Sequence, residues 1–184
     1  MQEKYSNILL DICYLNRIGN DFLDNALKIY QEADKGQGDS NHSFDLLVSH
    51  ALENLIKSIL ALHIFLCKYS QTEEKITTSI KAEFYRIDHN LDYAFKSVPI
   101  LMQALKINSV KRTQGTAGLV DQFVLKIGDN QIIIRHTMGA RYGSYAKQKN
   151  CFVSWDELLF QFLKDFKIKS QKIFLELENK IRNK

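Results

Sequence analysis

The chain is poor in the residues that interrupt helices and in those that build disulfide frameworks. It has one proline and eight glycines in 184 residues. This scarcity argues against long disordered segments, and the abundance of Leu, Ile, Lys and Glu favours helix. The three cysteines, Cys13, Cys67 and Cys151, are odd in number and far apart. They predict reduced thiols in a cytoplasmic protein and exclude a disulfide framework or a cysteine-rich zinc site.

Long hydrophobic runs are also missing. Glu53 and Lys57 interrupt the most apolar stretch, so it falls short of the roughly 18 apolar residues of a membrane span. The first residues lack the charged region, apolar stretch and small-residue cleavage site of a secretory signal. We therefore expect a cytoplasmic protein that does not bind a membrane, folded as one domain with a real core.

Acidic residues are scarce in one segment only. Residues 1–103 hold 10 Lys/Arg and 14 Asp/Glu, whereas residues 104–150 hold 8 and 2. Such a basic segment can attract phosphate, nucleic acid or an acidic partner surface. The alternative is a solvated loop region that happens to lack acids.

The apolar pattern predicts two long helices in the first part of the chain. Apolar residues recur every three or four positions over residues 4–34, with Gly19 and Asn20 as a possible kink site. A second helix is expected from about Ser43 to Tyr69, and its apolar residues cover most of the circumference. That girth predicts a central helix packed on several sides.

Shorter helices are expected next, and one more at the end of the chain. Ser70–Glu73 matches a capping box that starts a third helix, and another follows from Asp88 to about Lys106. Pro99 predicts a kink or break inside it. A second capping box, Ser154–Glu157, opens the last helix.

The segment before the last helix has a different pattern. Phe123–Ile127 and Ile132–His136 are rich in β-branched residues and flank a turn-forming tetrapeptide, which predicts a β-hairpin. The predicted fold is mainly α: an up-and-down helical bundle with a small β-hairpin insertion before the last helix. We expect a single domain, 1–184, with the bundle in 1–106 and 151–184 and the basic insertion in 107–150.

Two short motifs resemble those of the HEPN superfamily of small helical-bundle domains. Members often carry a Glu-x-x-x-Lys-x-hydrophobic pattern, which Glu53-Asn-Leu-Ile-Lys57-Ser-Ile59 matches. A later helix in the family opens on His-(Asp/Asn)-Leu, similar to His89-Asn90-Leu91 here. The resemblance covers roughly residues 44–105. It implies an up-and-down bundle, a homodimer, and a role in bacterial defence or toxin–antitoxin systems.

Some members of that family are ribonucleases, and this chain departs from their pattern. They use an Arg and a His spaced by a few residues near the start of the last helix, whereas the last helix here has Arg182 and no His. The substitutes are Arg86 with His89, and the adjacent Arg135 and His136. A His can take the 2′-hydroxyl proton and an Arg can stabilise the phosphate in RNA cleavage without a metal. Arg86 and His89 share a face only if their helix is continuous.

A polar stripe crosses the apolar second helix. His50, Glu53 and Lys57 fall on one face, and together with His89 they can line a small polar cleft. The alternative is structural: Glu53 and Lys57 form an ordinary i, i+4 ion pair or part of a satisfied buried network, and His89 caps a helix and hydrogen-bonds Glu53 or another buried polar group.

Bases and aromatic residues alternate after the predicted hairpin. This pattern suits phosphate contact combined with base stacking on single-stranded nucleic acid. The alternative is a loop whose tyrosines pack on the bundle. The candidate residues for this nucleic-acid or phosphate contact are Arg135, Arg141, Tyr142, Tyr145, Lys147 and Lys149.

No motif predicts a metal or a cofactor. His63 and Cys67 have the i, i+4 spacing of two zinc ligands, but no second pair accompanies them, so we expect core residues. The glycines match neither a P-loop nor a dinucleotide fingerprint. The function predicted from the sequence is a non-enzymatic interaction module that contacts RNA or a partner protein. The alternative is a divergent metal-independent ribonuclease.

Overall fold

The computed structural model describes residues 6–33, 41–114, 121–136 and 157–184. These residues form six helices and a three-stranded antiparallel sheet before the last helix, which confirms the predicted fold class. The elements in chain order are α1 (Ser6–Ala33), α2 (Asn41–Cys67), α3 (Glu73–Ile87), α4 (Leu91–Ser97), α5 (Pro99–Ala104), β1 (Ile107–Gln114), β2 (Asp121–Ile127), β3 (Asn130–His136) and α6 (Glu157–Arg182).

Helix α2 is the centre of the bundle, as its apolar girth predicts. It packs against α1, α3, α4, α6 and β3, and Leu52, Leu55 and Ile59 are fully buried. The expectation that Glu53 and Lys57 leave this stretch short of a membrane span does not hold for length and composition. Within the described residues, Phe44–Cys67 is long and apolar enough to cross a membrane, and 61% of its most apolar window is buried inside the bundle. Burial of this kind is what the core helix of a bundle requires.

Helix α1 runs antiparallel to α2 without interruption at Gly19. A Cβ atom at Gly19 would lie 2.7 Å from Cγ of Leu55 and 3.1 Å from its backbone nitrogen. Nearby, Nδ2 of Asn16 donates a hydrogen bond to Oγ of Ser58 at 3.0 Å, with both residues buried. The glycine therefore lets two helices approach closely, and α1 continues without a break through the position where the sequence suggests a kink.

Helix α6 lies antiparallel to α1 on another side. Asn20 donates to Oε1 of Gln171 at 3.2 Å, and Lys167 pairs with Asp24. Of the predicted capping box Ser154–Glu157, only Glu157 lies within the described residues, as the first residue of α6.

The boundary predicted for α3 is wrong, whereas the break at Pro99 is confirmed. Helix α3 has Thr72 as its N-cap, with no side-chain cap hydrogen bond. The backbone N–H of Gln71 donates to the carbonyl oxygen of Lys68, so Gln71 belongs to the turn that follows α2, and α3 begins two residues later at Glu73. Val98 separates α4 from α5, and Pro99 takes the first position of α5, where its missing N–H costs nothing.

The predicted hairpin is β2 and β3, joined by Gly128 and Asp129. Gly128 has a φ of 57°, a left-handed conformation that glycine adopts without strain. One face of the sheet is buried, and its core side chains include Phe123, Leu125, Ile132 and Ile134.

Strand β1 is a third strand, in addition to the two strands of the predicted hairpin. Its register with β2 shifts between Ile107 and Ser109, which is a β-bulge. Because of the bulge, Ile107 and Val110 are both buried although three positions separate them. The alternation that identifies a strand is therefore absent from its sequence.

Candidate functional site

A buried carboxylate lies at the centre of the candidate site. Glu53 is 4% exposed, on the side of α2 that faces the turn between α3 and α4. Its Oε1 accepts a hydrogen bond from Nζ of Lys57 at 2.5 Å, and its Oε2 lies 2.7 Å from Nδ1 of His89. One carboxylate thus holds two basic side chains, one from α2 and one from the turn.

Electrostatics keep this carboxylate ionised. Burial alone raises the pKa of Glu53, but the hydrogen bonds and positive charges of Lys57 and His89 outweigh it and lower the pKa below the ordinary 4.5. An ionised acceptor makes both hydrogen bonds charge-assisted, and such bonds are stronger than neutral ones.

The backbone of the turn brings His89 to Glu53. Helix α3 ends at Ile87, and Asp88 and His89 have φ values of 30° and 60°, both left-handed. Asn90 is then the N-cap of α4, with its Oδ1 accepting from the backbone N–H of Tyr93 at 3.3 Å. These two left-handed residues form the turn between α3 and α4, and from this turn His89 reaches Glu53 on α2.

A side-chain bridge fastens the same turn from outside. Oη of Tyr93 on α4 donates to Oε2 of Glu83 on α3 at 3.0 Å. Arg86 donates to Oε1 of the same carboxylate at 2.6 Å. The angle between α3 and α4, and with it the position of His89, is thus held by contacts on both sides of the turn.

An open cleft of about 370 Å³ lies over this network. Lys57 and His89 form one wall, and Lys81, Phe84, Tyr85 and Asp88 from α3 and its end form the other. Tyr85 is 82% exposed, and Nζ of Lys57 lies 5.5 Å from the centroid of the Phe84 ring. The cleft therefore combines ammonium groups, an imidazole and aromatic surface, which suits a ligand with both phosphate and ring components.

Charge in the cleft is balanced when His89 is neutral. Lys57 and Lys81 bring two positive charges, and Glu53 and Asp88 bring two negative ones. Glu53 lies buried beneath the wall with both oxygens engaged, so Lys81 and Asp88 are the charges that an incoming ligand meets most directly.

The polar set predicted from the sequence comes together. Glu53, Lys57 and His89 are bonded to one another, and the His50 ring lies edge-on to the His89 ring at 6.3 Å between centroids. His50 also lies 6.0 Å from the Phe22 ring and does not line the cleft. The hydrogen bond between His89 and Glu53 considered from the sequence is present, whereas the cap of α4 is Asn90 and not His89.

Of the four residues considered for RNA cleavage, Arg86 and His89 lie in α3 and in the turn after it, and Arg135 and His136 are placed by their strand positions alone. Helix α3 ends between Arg86 and His89, so the continuous face that would unite them is absent. The Arg86 side chain is 66% exposed and bonded to Glu83, and it is not among the residues that line the cleft. Arg135 and His136 close β3, opposite Gln122 and Asp121.

The predicted nucleic-acid patch lies almost entirely outside the described residues. Arg141, Tyr142, Tyr145, Lys147 and Lys149 are in the part of the chain that the structure does not describe, and only the strand position of Arg135 is available.

Sequence reasoning missed four of the six residues that line the cleft. Lys81, Phe84 and Tyr85 recur at three- and four-residue steps along α3, so they share one face, and Asp88 follows as the C-cap of the helix. That spacing was the available signal, but it is equally typical of a solvated helix surface. A cleft wall is distinguished from a solvated helix surface only by the tertiary structure, which places this face of α3 opposite Lys57 and His89.

The expected core placement of His63 and Cys67 is wrong. Both side chains are exposed near the end of α2, with Sγ 3.7 Å from Nε2. Across residues 6–33, 41–114, 121–136 and 157–184, no three His, Cys, Asp or Glu side chains are grouped to hold a metal ion.

Comparison of the chain with protein-family models, with curated proteins and with solved structures finds no match.

Proposed function

We propose that this chain is a HEPN-like, non-enzymatic interaction module of the cytoplasm that binds single-stranded RNA through the cleft between α2 and α3. One observation carries the proposal: Lys57, Lys81 and His89 line a cleft whose rim holds the exposed ring of Tyr85. Ammonium groups contact backbone phosphates, and an exposed aromatic ring stacks on a base; single-stranded RNA offers both.

Each residue has a distinct role in this proposal. Lys81 and Lys57 contact phosphate, with Lys57 held in place by Glu53. Tyr85 stacks on an unpaired base. His89 completes the wall and can donate a further hydrogen bond to phosphate when protonated.

The basic excess of residues 104–150 supports RNA as the ligand, because positive charge beyond the cleft strengthens the attraction of a polyanion. In this proposal Arg135, Arg141, Tyr142, Tyr145, Lys147 and Lys149 extend the contact. The resemblance of the two motifs to HEPN domains further supports a homodimer and a role in bacterial defence or a toxin–antitoxin system.

The test is binding of a short fluorescent single-stranded RNA, followed by anisotropy at several salt concentrations. We expect micromolar or weaker binding that falls with salt. Lys81→Gln should weaken it and reduce the slope of log K against log salt by about 0.7, the value for one phosphate contact on a single strand. Tyr85→Ala should weaken binding by about 1–3 kcal/mol, with Tyr85→Phe close to wild type.

Lys75→Gln is the matched control, because Lys75 is an exposed lysine of the same helix that does not line the cleft. Absence of salt-dependent binding by the wild-type protein, or equal losses in Lys75→Gln and Lys81→Gln, would refute the proposed site.

A second candidate is the divergent metal-independent ribonuclease. The observation in its favour is the contact between His89 and a buried carboxylate, since a carboxylate partner orients a catalytic imidazole. Incubating the protein with total RNA in a chelator tests it. Cleavage that disappears in His89→Ala, or in His136→Ala, supports the nuclease, and intact RNA at high protein concentration refutes it.

A further inference from the structure

A small, mostly apolar slot adjoins the cleft at the edge of the core, and the proposed function does not yet use it. It lies between α1 and α3 and has a volume of about 230 Å³. Ile12, Leu15 and Ile80 are among the residues that line it, together with the exposed residue Asp11 and the half-buried residue Thr77. This volume is below the roughly 300–1,000 Å³ of sites for drug-sized ligands, so it suits one ring and not a whole folded ligand.

The slot and the cleft share a wall. Lys81 and Phe84 line both of them. A ligand whose phosphate meets the ammonium group of Lys81 can therefore place a flat ring on the other side of Phe84. A nucleotide has this combination of anion and aromatic ring within one unit.

The polar lining favours one kind of base. The carboxylate of Asp11 only accepts hydrogen bonds, and the hydroxyl of Thr77 both donates and accepts. Cytosine carries an exocyclic amino group, which donates to Asp or Glu, whereas uracil has a carbonyl oxygen at the same ring position. A carboxylate facing that carbonyl would be repelled by it.

We propose that the slot takes one unstacked pyrimidine bearing an exocyclic amino group, cytosine, from a single strand whose phosphate lies against Lys81. The proposal rests on the RNA-binding function proposed above and adds base selectivity to it. Ile12, Leu15, Ile80 and Phe84 supply the apolar surface for the ring, and Asp11 discriminates between amino and carbonyl groups.

The experiment compares fluorescent oligocytidylate and oligouridylate of equal length, two pyrimidine strands that differ in the group that Asp11 would read. We expect wild-type protein to bind the cytidine strand at least about fivefold more tightly, the factor that corresponds to one good base contact. Asp11→Asn should bring the ratio near one, because an amide can donate to uracil as well as accept from cytosine. Asp21→Asn, an exposed carboxylate elsewhere on α1 that does not line the slot, should keep the preference.

The possible outcomes distinguish a failure of the base-selective slot from a failure of the proposed RNA binding. Equal affinity for the two strands, or a preference that survives Asp11→Asn, overturns the slot and leaves RNA binding intact. Lys81→Gln should weaken both strands by the same factor, because it removes a phosphate contact and no base contact. Failure of the wild-type protein to bind either strand overturns both proposals together.

Discussion

Glu53 and His89, separated by 36 positions in the chain, meet at 2.7 Å between Oε2 and Nδ1. The contact joins the most buried helix of the bundle to the turn that follows α3. Changes in the core should therefore alter the cleft, because Glu53, which holds Lys57 and His89 in place, is itself only 4% exposed.

Replacing Glu53 with Gln should destabilise the fold. The substitution removes the charge that compensates Lys57, whose side chain is 15% exposed. We expect a loss of about 2–3 kcal/mol in the free energy of unfolding, less than the roughly 3–5 kcal/mol for fully buried pairs because Lys57 and His89 reach the cleft. Urea unfolding followed by circular dichroism measures it. Glu32→Gln is the matched control, because it removes the partner of Lys28 in an i, i+4 pair on the surface, and it should change stability by less than about 0.5 kcal/mol.

Acid should weaken the same network. The folded-state pKa of Glu53 lies below the ordinary 4.5, so the unfolded chain binds its proton first as the pH falls. The stabilisation is therefore complete above about pH 4.5 and is lost as the pH falls through the lowered value. Unfolding free energies measured between about pH 6 and pH 3 should fall less steeply in Glu53→Gln than in wild type. Parallel curves would contradict an ionised, hydrogen-bonded Glu53.

Gly19→Ala should destabilise the protein although alanine is the better helix former. The new Cβ would lie 2.7 Å from Cγ of Leu55, with the backbone of α2 close behind it. Overpacking costs about 1–3 kcal/mol, against a gain of about 1 kcal/mol in helix propensity, so we expect a net loss of up to about 2 kcal/mol. The double variant with Leu55→Ala should show a favourable coupling in a double-mutant cycle. If the two changes in unfolding free energy were simply additive, the contact between the new Cβ and Leu55 would not be the cause of the destabilisation.

Two substitutions at Asp88 should separate conformation from charge. Asp88→Gly relieves a left-handed φ of 30° and should raise stability by about 0.5 kcal/mol. Asp88→Asn keeps a residue that tolerates this conformation and should leave stability nearly unchanged. Both remove a negative charge from the cleft lining, so both should tighten RNA binding about two- to fivefold at low salt. If only Asp88→Gly bound RNA more tightly, the backbone conformation and not the charge of Asp88 would be the cause.

The helical architecture was readable because it depends on local periodicity. The apolar residues of α1 and α2, the single proline at the start of α5 and the β-branched runs of the hairpin each determine a local structure through spacing alone. Prediction failed where an irregularity interrupts the spacing: the bulge after Ile107 concealed β1, and the turn from Lys68 to Gln71 occupies residues predicted to start α3.

The candidate site divides along the same line. The sequence by itself determined that Glu53 and Lys57 lie on one helix face, since positions four apart must do so. Tertiary structure alone decided that Asp88 and His89 turn left-handed, that His89 reaches Glu53, and that Lys81 and Tyr85 lie across a cleft from both. The physical reason is distance along the chain: a repeat of three or four residues is encoded locally, whereas a contact over 36 positions exists only after the helices have packed.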